Sequence, residues 1–172
     1  MSIYLDNAAT TRLDKAVLEA MTPYLTTDYA NASAIHNPGQ KNNLVLEDCR
    51  ARVAGHFKVP AENIYFTSGA SESNNWIIKG IMFANQDKGK HLLVSAIEHP
   101  CVLRAAEQLT AHGYEVELIP VKENGRLDLE ALKKMLRSDT VLVSVMAVNN
   151  EIGVSQNLKA IADIVQDRKS VV

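Results

Sequence analysis

Residues 64–75, IYFTSGASESNN, join a short apolar run to small polar residues and then to a helical pattern. A strand, a glycine-containing turn and a helix N-terminus in this order direct backbone N–H groups and a hydroxyl to one point, which suits a phosphate. Neither GxGxxG nor GxxxxGK[ST] occurs here, so dinucleotide and P-loop nucleotide sites are disfavoured. The stretch therefore predicts a site for one small phosphate group. The alternative is an ordinary helix N-cap at Ser71.

After Pro60 the sequence alternates between strand and helix patterns. This alternation predicts an α/β fold with a mostly parallel sheet, helices on both faces in three layers, and ligands at the carboxyl ends of the strands. The predicted strands are 64–67, 92–95, 116–119 and 141–146, and the predicted helices between and after them are 71–84, 101–112, 129–136 and 158–165.

Two helices are predicted before Pro60, and each is expected to pack one apolar face. One covers 15–25, with Val17, Leu18, Met21 and Leu25 at helical spacing, and the other carries Val45, Cys49, Val53 and Phe57. The polar loop 28–39 between them is longer than most connections, which makes it a functional candidate.

Composition limits the class of protein. With 172 residues, 47% of them hydrophobic, the chain is long enough for one sizeable core, and its net charge of −2 gives no general attraction to nucleic acid or to a membrane surface. The first residues lack a secretory signal and no apolar run approaches the ~20 residues needed to span a bilayer, so we expect a cytoplasmic location. Cys49 and Cys101 lack CxxC spacing and are expected to be reduced, with Cys49 in the core.

His99 lies just after a predicted strand and before Pro100. Its ring is placed to stack on an aromatic ligand or to move a proton near neutral pH, and the alternative is a capped or solvated histidine. Cys101 is close in sequence, but no histidine or cysteine spacing matches a known zinc arrangement, so no metal site is predicted.

Two further segments are polar in unusual places. Asn149 and Asn150 follow the apolar strand 141–146, where their amides can donate to a phenolate or carboxylate oxygen or can satisfy the backbone of a tight turn that ends at Gly153. Residues 4–11, YLDNAATT, form either an arm that reaches a site or an N-terminal strand.

Together, five collinear segments resemble the cysteine desulfurases, which are pyridoxal 5′-phosphate enzymes of the class V aminotransferase group and serve iron–sulfur cluster assembly and tRNA thiolation. The segments are YLDNAATT at 4–11, NASAIH at 31–36, FTSGASESNN at 66–75, Glu98-His99, and VNNEIG at 148–153. The resemblance implies the large domain of a pyridoxal-phosphate-dependent transferase of fold type I, incomplete over 13–172, with an N-terminal arm at 1–12.

The resemblance also implies roles for individual residues. Ala70 and Ser71 are implied to bind the cofactor phosphate, His99 to stack on the pyridine ring and take part in proton transfer, and Asn150 to contact the phenolic oxygen. It further implies L-cysteine as substrate with conversion to L-alanine, a homodimer or domain-swapped oligomer, and a sulfur-acceptor protein.

The sequence departs from the family pattern at Ala32, where proline is usual, and at Ser71, where threonine is common. No residue of this chain matches the aspartate at the pyridine nitrogen, the Schiff-base lysine in Ser-x-His-Lys, the persulfide cysteine or the substrate-binding arginine. We therefore expect a truncated chain that is inactive alone, with bare strand edges and a new strand starting within 167–172. The alternatives are a non-catalytic assembly remnant and a selenocysteine lyase-like enzyme of the same class.

Overall fold

The computed structural model describes residues 3–166. Backbone contacts divide the chain into two units, the first ending at Phe66 and the second starting at Thr67, and each is described by itself. The boundary predicted between residues 12 and 13 is not tested by this division and stays a prediction. The strand start predicted within 167–172 lies outside the described residues.

The first unit contains two helices, α1 (Lys15–Thr26) and α2 (Asn37–Phe57), and a short 3-10 helix (Ala61–Asn63). Both α-helices are N-capped by a side chain. Asp14 accepts a hydrogen bond from the Ala16 N–H at 2.8 Å, and His36 Nδ1 accepts from the Gly39 N–H at 3.3 Å. Helix α2 ends at Lys58, whose left-handed backbone (φ 55°) stops the helix.

The expectation that α1 and α2 pack apolar faces is wrong for the described residues. Helix α1 has no buried residue, and α2 buries only Gly39 and Ala54. Cys49, expected in the core, is exposed. The physical reason is that the first unit contains no strand in its described part, so its helices have no sheet layer to cover.

The second unit alternates helix and strand. Its elements are α3 (Ala70–Ala84), β1 (His91–Ser95), α4 (Pro100–Thr110), β2 (Glu115–Ile119), α5 (Leu129–Met135), β3 (Thr140–Ser144) and α6 (Leu158–Gln166). The three strands are parallel, in the order β2-β1-β3, and Leu93 of β1 lies opposite Glu117 of β2 and Val143 of β3. The predicted elements from residue 70 onward are therefore present, with ends that differ by a few residues.

The central strand β1 carries the core because all five of its residues are buried. Side chains alternate across a strand, so Leu92 and Val94 pack on one face with α3 and α4, while Leu93 packs on the other with α5 and α6. The predicted three-layer α/β architecture is confirmed.

The predicted strand at 64–67 is wrong, which leaves three strand–helix units instead of four. Ile64 has extended backbone (φ −100°, ψ 124°) after the 3-10 helix, but the segment is not part of the sheet. The Ile64 carbonyl accepts a hydrogen bond from Arg50 Nη1, and the Arg50 guanidinium lies 5.1 Å from the Phe66 ring centre. Apolar, β-branched sequence favours extended backbone, but only a neighbouring strand makes such a segment part of a sheet.

Within residues 3–166, every helix is too short or too polar to cross a lipid bilayer.

Candidate functional site

The loops that follow β1 and β3 are tied together at the carboxyl edge of the sheet. Glu98 Oε1 accepts hydrogen bonds from Ser95 Oγ at 2.9 Å and from the Met146 N–H. Asn149 Nδ2 donates to the Ile97 carbonyl at 2.8 Å. Because Met146 N–H bonds to Glu98, strand β3 ends at Ser144, earlier than the predicted Met146. These contacts bring the segments that carry His99 and Asn150 next to each other.

Glu98 is a buried carboxyl group in this edge. Burial raises the pKa of Glu98 above its ordinary value, and the hydrogen bonds from Met146 and Ser95 partly oppose that shift. Sequence reasoning noted Glu98 only as part of a motif. The signal that would have singled it out is an acidic residue within three positions of a fully buried strand.

The N-terminal ends of α3 and α4 also lie side by side on one face of the sheet. Asn74, in the second turn of α3, donates through Nδ2 to Cys101 Sγ at 3.2 Å, and Cys101 is in the first turn of α4. The turn that carries Ala70 and Ser71 is therefore close to the turn that carries His99.

The start of α3 carries Ala70 and Ser71, the residues predicted to bind a phosphate. Its N-cap is Gly69, and no side chain of the described residues caps the helix, so the ordinary N-cap considered for Ser71 is not observed. Glu72 Oε2 accepts from the Ser68 N–H and from Ser68 Oγ, both at 2.7 Å, and these bonds lower the pKa of Glu72. Ala70 and Ser71 are exposed. The first N–H groups of a helix have no acceptor within it, so these residues offer backbone donors and a hydroxyl to an anion.

His99 caps α4. Its Nδ1 accepts from the Cys101 N–H at 3.1 Å, and the residue is exposed. The alternative considered from the sequence, a histidine that caps a helix, is therefore observed at the Nδ1 edge of the ring. The Nε2 edge is left for another partner.

The two neighbouring asparagines have different roles. Asn149 is buried, and its Oδ1 accepts from the Glu151 and Ile152 N–H groups at 2.9 and 3.0 Å, in a turn that ends at Gly153 (φ 67°). Asn149 therefore satisfies the backbone of a tight turn, which is one of the two alternatives predicted for these asparagines. Asn150 is exposed, and its Nδ2 donates to Glu151 Oε1 at 2.8 Å. Asn150 is accessible to a ligand.

The N-terminal segment is not a strand. It turns at residues 6–10, where the Ala9 and Thr10 N–H groups donate to the Asp6 carbonyl, and Tyr4 Oη donates to the carbonyls of Asp6 and Thr10 at 2.9 and 3.1 Å. It belongs to the first unit. Its predicted role as an arm near a substrate site stays a prediction.

Two further features concern a cavity and metal binding. In the first unit, the loop predicted as a functional candidate lines a cavity of about 770 Å³ together with the start of α2. Among residues 3–166, no group of three or more histidine, cysteine, aspartate or glutamate side chains is arranged to hold a metal ion.

The sequence profile described as aminotransferase class-V matches residues 3–172. The chain belongs to the class-V aminotransferase family. Among similar class-V proteins, the cysteine desulfurase IscS of Methanosarcina thermophila is 42% identical over 168 residues, which are 98% of this chain and 42% of that protein. The cysteine desulfurase IscS of Neisseria meningitidis serogroup C is 47% identical over 170 residues, again 98% of this chain and 42% of the relative.

Similar solved structures agree with the sequence matches. A NifS-like protein superposes with a TM-score of 0.95 at 38% identity, covering 100% of this chain and 48% of that one. SspA in complex with cysteine gives a TM-score of 0.91 at 34% identity, covering 98% of this chain and 49% of that one. This class-V chain spans less than half the length of these relatives. The predicted resemblance to cysteine desulfurases of fold type I is confirmed.

The class-V family depends on pyridoxal 5′-phosphate. The second unit fits such a group, because it offers the uncapped start of α3 for a phosphate, an exposed imidazole at His99 and an exposed amide at Asn150 along one edge. The roles of Ala70, Ser71, His99 and Asn150 toward the cofactor remain predictions.

Proposed function

We propose that this chain supplies part of the cofactor pocket of a pyridoxal-phosphate-dependent cysteine desulfurase. The observation that carries the proposal is the uncapped N-terminus of α3, linked through Asn74 and Cys101 to the turn that holds His99. An anion at this point meets backbone donors that have no other acceptor, next to a flat aromatic ring.

The phosphate contacts fall to Ala70 and Ser71. Ser68 is engaged by Glu72, so its N–H and hydroxyl are already used. The Glu72 carboxylate is therefore bound to Ser68. The donors left for an anion are the N–H groups of Ala70 and Ser71 and the Ser71 hydroxyl. Charge-assisted hydrogen bonds of this kind are stronger than neutral ones.

The remaining contacts orient an aromatic ring. His99 presents a flat face at the start of α4, and Asn150 presents an amide that can donate to a phenolic oxygen. Glu98 and Asn149 form hydrogen bonds that join the two loops on which His99 and Asn150 lie. When bound, pyridoxal phosphate supplies the electron sink that cysteine desulfuration requires.

The proposal extends to the whole protein in four respects. The substrate is L-cysteine, the product is L-alanine, sulfur passes to an acceptor protein, and the setting is a cytoplasmic homodimer. Residues 1–172 contain no match to the family's covalent lysine or persulfide cysteine, so these residues are assigned cofactor contacts and not turnover.

Binding of pyridoxine 5′-phosphate tests the phosphate assignment. This compound has an alcohol in place of the aldehyde, so it cannot condense with surface lysines. The single tryptophan, Trp76, lies in α3, so its fluorescence is the readout chosen for binding. We expect saturable binding. Ser71→Ala should weaken the affinity by about 10-fold or more, because a hydrogen bond to a charged group is lost. Ser71→Thr keeps the hydroxyl and should retain the affinity.

The matched control is Ser138→Ala, because Ser138 is exposed and precedes β3 at the opposite edge of the sheet. It should leave the affinity unchanged, and inorganic phosphate should compete with the ligand. Equal affinity of Ser71→Ala and the wild-type chain would reject the proposed phosphate site.

A second candidate function is assembly with a second copy of the chain. The specific observation is that α1 leaves Val17, Leu18, Met21 and Leu25 exposed at 44–67% of their surface. An apolar stripe at helical spacing on a helix with no buried residue is the kind of face that another chain covers.

A further inference from the structure

The Nδ1 atom of His99 makes two polar contacts with Cys101, one with its backbone nitrogen and one with its sulfur. Nδ1 lies 3.1 Å from the Cys101 backbone nitrogen and 3.0 Å from Cys101 Sγ. One residue therefore supplies both polar contacts on this edge of the imidazole. The half-buried thiol lies between His99 and helix α3.

The backbone contact decides where the ring proton is. A backbone N–H can only donate, so Nδ1 must present its lone pair to Cys101. In a neutral imidazole one nitrogen carries the proton and the other accepts. The proton of neutral His99 therefore lies on Nε2, the edge that faces away from the cap.

In the second contact, too, Cys101 donates and His99 Nδ1 accepts. Asn74 Nδ2 is a donor, so Cys101 Sγ accepts from α3, and the thiol hydrogen is left to donate to His99 Nδ1. The bonds run in one direction from Asn74 through Cys101 to His99. They connect the second turn of the proposed phosphate-binding helix to the ring at the start of α4.

We propose that Cys101, held by Asn74, is a positioning residue that keeps the His99 ring oriented with its proton on Nε2. The ring then presents an N–H donor, and not a lone pair, to a ligand at this edge. An N–H on the outer edge cannot accept a proton from a ligand, so in this state His99 acts as a stacking and donating group. The consequence for a bound cofactor rests on the proposed function, whereas the tautomer and the role of Cys101 do not.

The chain contains its own reference for this arrangement. His36 caps α2 through the Gly39 N–H at 3.3 Å, as His99 caps α4, but the next residues are Asn37 and Pro38 and no thiol donates to its ring in the described structure. A capped histidine without the sulfur can thus be compared with one that has it, in the same sample.

Nitrogen-15 NMR of the histidine rings in the intact chain tests the proposal. The His99 signals are assigned by their loss in His99→Gln. We expect neutral His99 to carry its proton on Nε2. In Cys101→Ala the Nδ1 resonance should move in the direction of a weaker hydrogen bond while His36 stays unchanged, and Cys101→Ser, which restores a donor, should return it toward the wild-type position.

Titration with pyridoxine 5′-phosphate gives the second readout. Cys101→Ala should weaken its binding about 3-fold to 10-fold, which corresponds to one ordinary hydrogen bond, and Cys101→Ser should recover most of that loss. A proton on Nδ1 of wild-type His99, or identical His99 signals in the wild type and Cys101→Ala, would overturn the inference. The expected NMR pattern without any ligand binding would support the Cys101 assignment and reject the proposed function.

Discussion

At the residue scale, the site depends on a few side chains that hold backbone groups in place. Glu98 joins the ends of β1 and β3, and Asn149 joins the same two loops a few residues later. Neither side chain is exposed, whereas their neighbours His99 and Asn150 are. In both loops a buried residue, Glu98 or Asn149, forms the hydrogen bonds that join the loops, and the next residue, His99 or Asn150, is exposed.

The pH dependence of stability tests the buried carboxyl at Glu98. Its pKa is raised in the folded state, so the folded chain binds more protons than the unfolded chain above the ordinary pKa of glutamate. Glu98 therefore costs stability as pH rises through that range. Glu98→Gln keeps the Oε1 acceptor without the charge, so its stability relative to the wild type should increase as the pH rises above the ordinary pKa of glutamate.

Urea unfolding at several pH values measures this difference. The control is Glu123→Gln, which removes the same charge from an exposed residue. Comparison with a variant is necessary because Glu115 and Asp139, whose pKa values Arg137 lowers, change stability in the opposite direction with pH. Parallel curves for Glu98→Gln and the wild type would show that burial of Glu98 has no energetic effect.

At the element scale, the start of strand β1 depends on a close backbone approach. A Cβ on Gly89 would lie 2.1 Å from the Asp139 carbonyl oxygen, just before β3. His91 N–H also donates to this carbonyl, at 3.3 Å, so the two strands begin side by side only if residue 89 has no side chain. The glycine is required by contact with backbone, which cannot move aside as a side chain can.

Two glycine substitutions in the second unit should have opposite effects. Gly89→Ala should destabilise the chain by about 1–3 kcal/mol because the new methyl group overlaps the Asp139 carbonyl. Gly80→Ala lies inside α3, where the nearest atom to a new Cβ is Trp76 Cδ1 at 3.7 Å, and it should stabilise the chain by about 0.5–1 kcal/mol. Urea denaturation measures both, and a loss of stability in Gly80→Ala as large as that in Gly89→Ala would contradict this account.

At the scale of the whole molecule, the two units differ in how well they bury their apolar residues. The second unit covers both faces of its sheet and has two core clusters. In the first unit α1 has no buried residue, although its sequence carries Val17, Leu18, Met21 and Leu25 at helical spacing. Amphipathic sequence specifies that a face is apolar but does not supply the surface that covers it.

The oligomeric state tests whether a second copy covers the α1 stripe. Light scattering should give a mass above that of one chain and rising with concentration, because the exposed apolar side chains of α1 associate. Met21→Lys with Leu25→Lys should shift the mass toward one chain, and Glu19→Gln on the same helix should not. A single-chain mass at all concentrations would remove this candidate.

Periodicity predicted every helix and strand from α3 onward, because each of these segments carries its own apolar pattern in the sequence. The motifs were sufficient to predict the family, while the cofactor roles of Ala70, Ser71, His99 and Asn150 stay predictions. What the sequence by itself determined is local: which segments are helical, which face of each is apolar, and which polar residues follow each strand. Only the tertiary structure decided that 64–67 stays outside the sheet, that Cys49 and α1 remain exposed, and that Cys101 connects α3 to His99, because strand pairing, burial and hydrogen-bond direction depend on partners distant in the chain.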